Sequence, residues 1–89
     1  MIKYAHKKLG KEKLHGRAFF DDYLIEIDER LKGKKHLEIA IHEAFHLLFQ
    51  KLSEDKIVSK SIDLTNLLWE LQYRRMDDSN LIPLQDGTI

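Results

Sequence analysis

Between about residue 35 and residue 52 the sequence places apolar side chains at Leu37, Ala40, Ile41, Ala44, Phe45, Leu48 and Leu52. That i, i+3, i+4 spacing is the apolar stripe of an amphipathic helix. Ile39, Leu47 and Phe49 carry apolar surface most of the way round, so the helix is expected to be central and covered on several sides. A chain of 89 residues has room for one small domain, and everything else must pack around this helix.

Upstream, residues 17–28 read as a β-hairpin. Two aromatic or β-branched runs flank Asp21-Asp22, and Ile25-Glu26-Ile27-Asp28 alternates with period two. Asp-Asp is a weaker turn signal than Asn-Gly, which suggests a longer loop. A further short strand near residues 2–4 is possible, and Gly33 separates the sheet from the helix. Downstream, Ser53 is a good N-cap, with Glu54 and Asp55 in a first turn where the helix dipole favours acids. A second helix is expected from there to about Arg75. The fold class is thus α+β: a small antiparallel sheet or hairpin, the apolar helix and a second packing helix, forming one domain over residues 1–76. Asp77-Asp78-Ser79-Asn80, Pro83 and Gly87 mark residues 77–89 as a C-terminal tail.

Composition narrows the function. With no cysteine there is neither a disulfide framework nor a thiolate metal site. Fifteen Lys+Arg balance 15 Asp+Glu, which argues against nucleic acid as the main partner. The start has no apolar leader and no stretch is apolar enough to span a bilayer, so a soluble, cytoplasmic protein without a membrane partner is expected. Basic residues gather at Lys3, Lys7, Lys8, Lys11, Lys13 and Arg17 and again at Arg30, Lys32, Lys34 and Lys35. The plain reading is a solvated face; the sharper one is a docking surface for an acidic partner.

Five His in so short a chain is the compositional oddity. Two of them stand in His42-Glu43-Ala44-Phe45-His46, inside the apolar helix. At i and i+4 both imidazoles share one helical face and reach one cation. Glu43 leaves the helix about 100° away from His42, where a carboxylate can hold and deprotonate a water. Two His and a Glu in an apolar segment are also costly to bury without partners. A catalytic zinc takes three protein ligands, and no His follows His46. The candidates for the third are Glu54, Asp63 and Glu70. On a helical wheel Glu54 projects into the apolar arc, between Ile57 and Val58, whereas Asp63 and Glu70 fall on the polar stripe. A tight antiparallel hairpin would instead bring residues 59–63 level with the His pair. An end of the first helix near Phe49 would bring Glu54 within reach. Glu54 is the choice and Asp63 its rival. His15 and His36 are read as surface His, Trp69 and the Phe residues as core, and Tyr73 as packed on Trp69.

These residues resemble a known group. His42-Glu43-Ala44-Phe45-His46 on a helix after a strand looks like the active-site helix of the zincin metallopeptidases. The run through Gly16-Arg17-Ala18, Ile25-Glu26-Ile27-Asp28, Ile41-His42-Glu43 and Leu67-Leu68-Trp69 is similar to short zinc peptidases of phages and bacteria, over about residues 15–75. The resemblance implies a zinc cofactor on His42 and His46, Glu43 as general base, and a sheet edge along which a peptide or protein substrate lies. The chain departs from the metzincins, which have a third His, and from the thermolysin-like spacing to a Glu. The expected function is metal-assisted peptide-bond hydrolysis. The alternative is a zincin-like metal-binding or interaction module without peptidase activity.

Overall fold

The computed structural model describes residues 1–76, and the expected tail, residues 77–89, lies outside the described residues. In chain order the elements are β1 (Lys3–Lys7), a 3-10 turn (Gly10–Glu12), β2 (Gly16–Phe19), β3 (Leu24–Asp28), α1 (Gly33–Leu48) and α2 (Glu54–Glu70). This is an α+β fold. The strands form a sheet in the order β1-β3-β2.

β2 and β3 are the expected hairpin, paired antiparallel with Arg17 opposite Glu26 and Ala18 opposite Ile25. Its loop is longer than two residues, closed by Tyr23 N–H donating to the Phe20 carbonyl and by Tyr23 at a positive φ of 50°. The sheet is mixed, not all antiparallel as expected. β1 runs parallel to β3, with Tyr4 opposite Ile25 and His6 opposite Ile27. β1 has only weak apolar alternation, because its inner face is only partly covered. Its pairing comes from the backbone ladder.

β3 is the centre of the sheet and is buried on both faces. Ile25 and Ile27 face α1 and join Ile39 and Leu47 in the main core cluster. Burying each such side chain contributes about 1.5–3 kcal/mol. Glu26 and Asp28 face the other way, yet both are buried. Each is matched by an arginine. Arg17 Nε donates to Glu26 Oε1 at 2.6 Å, and Arg30 donates to Asp28 from its backbone N–H and both ends of its guanidinium. An unpaired carboxylate could not be kept there, which is why the period-two pattern of β3 carries acids without exposing them. The β1–β2 connection lies on this side, with Gly10 against the Arg30 guanidinium and Leu9 fully buried.

α1 packs on β2 and β3 and also on α2, whereas α2 makes its main contacts with α1 alone. The central helix is thus covered from two sides, as its apolar pattern suggests. Gly33 opens it rather than merely preceding it, at a positive φ of 59°. α1 stops at Leu48, earlier than the periodicity indicates, with Phe49 as its C-cap. Ser53 caps α2, its hydroxyl accepting from the Lys56 N–H. The helices run antiparallel, which brings Trp69 to Gly33.

α2 also ends early, at Glu70. Gln72 takes a positive φ of 71°, its N–H donates to the Trp69 carbonyl, and the Tyr73 N–H donates to the Leu68 carbonyl. This pair of bonds is a Schellman stop. Tyr73 is therefore beyond the helix and exposed, and Arg74 covers Trp69 instead, its guanidinium 3.5 Å from the ring centroid. Phe20 and Phe49 are about half exposed rather than core. Among the described residues no helix is long and apolar enough to cross a membrane.

Candidate metal centre

The early end of α1 decides the geometry of the His pair. Because the chain turns back over residues 49–53, the first turn of α2 stands beside the last turns of α1. Glu54 Oε1 lies 3.1 Å from His46 Nε2 and Glu54 Oε2 lies 3.3 Å from His42 Nε2. The two Nε2 atoms are 3.2 Å apart. These three residues are the single group among the described residues with metal-ligating atoms so gathered. Asp63 and Glu70 are exposed and stand outside it.

The triangle suits a small divalent cation. A tetrahedral ion with bonds of about 2.0 Å holds its ligand atoms about 3.3 Å apart, close to the Nε2–Nε2 separation and to the distance from each Nε2 to its own oxygen of the Glu54 carboxylate. The imidazole planes are 69° apart, with ring centroids 4.9 Å from each other. The rings thus converge at an angle, with their Nε2 atoms within hydrogen-bond distance of each other. Two imidazoles and one carboxylate are also a donor set of the catalytic zinc type, with a fourth direction left for water or substrate. Glu54 remains well exposed, its side chain at 61%.

Glu43 is on the adjoining face of α1, buried between the helix and β2. Burial, and then the negative charge of Glu54, push its carboxyl up to about 7. A carboxylate in that range is poised to accept and return a proton near neutral pH. Its neighbour across the layer is Gly16. A Cβ at Gly16 would stand 2.7 Å from Ile39 Cγ2, 3.0 Å from Glu43 Cγ and 3.1 Å from the Glu26 carbonyl. Only a residue without a side chain lets β2 approach α1 this closely.

β2 is an edge strand, and it is the one beside this centre. The Asp28 N–H donates to the His15 carbonyl, so Arg17 and Phe19 point their peptide groups inward in the antiparallel alternation. The peptide groups of Gly16 and Ala18 face outward. Sequence reasoning left open which strand forms the edge, and Gly16 as the contact point was missed. An isolated glycine at a strand start was its only signal.

Of the remaining His, His15 is exposed. His36 is not a simple surface residue: it is half-buried and its Nε2 lies 3.0 Å from His6 Nε2. No family model, curated protein or solved structure matches this chain.

Proposed function

We propose that this protein is a zinc-dependent metallopeptidase. The observation that supports the reading most is the His42–His46–Glu54 triangle with buried Glu43 beside it. His42, His46 and Glu54 would hold the ion. Bound zinc supplies Lewis acidity that polarises a carbonyl and makes water acidic near neutral pH.

The chain's own residues supply the rest. The outward peptide groups of Gly16 and Ala18 bind an extended substrate as an added strand, placing its backbone across the site. Glu43 accepts the proton of the attacking water and delivers it to the leaving amine. Its buried position keeps bulk water from competing for that proton. The resemblance to the zincins and the intact His-Glu-x-x-His spacing agree with these roles. A cytoplasmic location fits the lack of cysteine.

The exposure of Glu54 also favours a second reading, a metal-binding interaction module without turnover. One experiment separates the two: unfolded casein incubated with the zinc-loaded chain and with its Glu43→Gln variant. Cleavage by the first and not by the second, with equal zinc content, supports the peptidase. Stoichiometric zinc without cleavage by either supports the module. Loss of zinc from Glu43→Gln would make Glu43 a ligand and refute the assigned roles.

A further inference from the structure

The other edge of the sheet carries a second binding feature. α1 sits over β2 and β3, and among the described residues the face of β1 is only partly covered. Between them lies a groove of about 450 Å³, with Ile25 and Ile27 as floor, Tyr4 as one wall and Ala40 and Ala44 of α1 as the other. Ala40 and Ala44 lie about 160° around the helix from His42, so the groove and the metal centre flank α1 on opposite sides.

Among the described residues no strand pairs with the outer edge of β1. The Lys3 N–H donates to the Tyr23 carbonyl and the Glu29 N–H donates to the Lys7 carbonyl. In a parallel ladder this makes Lys3, Ala5 and Lys7 the inward-bonded residues. Tyr4 and His6 direct their peptide groups to the outer edge, while their side chains enter the groove. An added strand would place alternate side chains beside Tyr4 and His6 on the groove side of the sheet.

One end of the groove is polar and basic. His6 and His36 meet there with Nε2 atoms 3.0 Å apart, ring centroids 5.2 Å apart and planes within 20°. With about 1.1 Å from each centroid to its nitrogen, those distances describe two rings end to end, joined by one N–H···N bond. This pair ties β1 to the start of α1. Arg75 stands beside it, and among the described residues no acidic side chain lines the groove. Burial first, and then Arg75, hold both imidazoles below their usual range. Arg75 is thus a fixed positive charge at that end, with Lys32 also acting on His36 and Glu29 on His6.

We propose that the edge of β1 and this groove form a docking site for an extended peptide segment of a partner protein, aliphatic at alternate positions and ending in a carboxylate that pairs with Arg75. Charge complementarity selects the acidic end, and Lys3 and Lys7 on the opposite face of β1 favour the same sign. The site does not depend on the metal centre.

The test uses the full chain and the peptide acetyl-Thr-Val-Thr-Val-Thr-Glu-amide, followed by amide NMR and hydrogen exchange. Binding should shift and slow the amides of Tyr4 and His6. Arg75→Glu should weaken binding about tenfold, as should Lys in place of the peptide's Glu. His46→Ala should leave binding unchanged, which separates this site from the metallopeptidase reading. Shifts confined to Gly16 and Ala18, absence of binding, or binding indifferent to both charge reversals would overturn the proposal. So would peptide-free self-association that protects Tyr4 and His6, which would make a second copy the occupant.

Discussion

Glu54 and His46 come within 3.1 Å of each other although they belong to different helices. A short turn makes the contact, because α1 stops at Leu48 and α2 starts at Glu54. A longer first helix would have carried Glu54 past the His pair.

The contact predicts linkage between metal and stability. Zinc at about 100 times its Kd should stabilise the fold by about 2.7 kcal/mol. Thermal unfolding with and without zinc checks this. The gain should vanish in His46→Ala and shrink strongly in Glu54→Gln, while Asp63→Asn should retain it.

Gly16 predicts a packing defect. Gly16→Val must displace Ile39 and Glu43 or push β2 away from α1, at a cost of about 1–3 kcal/mol. Urea unfolding at equilibrium measures it. If the strand moves to make room, any hydrolysis should fall further than stability does, because β2 also carries the outward peptide groups.

Asp28 predicts an acid limb. Hydrogen bonds from Arg30 hold its carboxyl at about 2, below the ordinary aspartate range. A depressed carboxylate stabilises the fold above its unfolded value and loses that contribution as pH falls through the folded value. The Asp28 contribution should therefore disappear between about pH 4 and pH 2. Urea midpoints at several pH values should fall more steeply over that window for the wild type than for Asp28→Asn, which starts lower and lacks this titration.

Two positions, one on α2 and one just past its end, predict gains. Gln72 holds a left-handed conformation that costs a non-glycine residue about 1 kcal/mol, so Gln72→Gly should raise stability by about that amount. The Thr65 hydroxyl is buried without a hydrogen-bond partner among the described residues, and Thr65→Val should also stabilise by about 1 kcal/mol. Thermal unfolding of both variants provides the check.

The parts of this fold that bury a periodic face were legible in the sequence. The stripe from Leu37 to Leu48 marked α1, the alternation Ile25-Glu26-Ile27-Asp28 marked β3, and Ser53 marked the start of α2. β1 was only weakly legible because one of its faces is partly bare. The helix ends were misplaced because the apolar pattern runs on through Leu52 and Leu71, while local stops at Phe49 and Gln72 end the helices. At the candidate site, His42, His46 and Glu54 were each picked out, but the choice of Glu54 over Asp63 turned on where α1 ends. The His6–His36 pair was invisible because only the parallel placement of β1 brings its two members together.

An anomalous-difference map from crystals of the chain purified without added metal, recorded on both sides of the zinc edge, tests the central claim most directly. The account predicts a single peak at about 2.0–2.1 Å from His42 Nε2, His46 Nε2 and a Glu54 carboxylate oxygen. No peak there from zinc-soaked crystals, or a peak held by other residues, would contradict it.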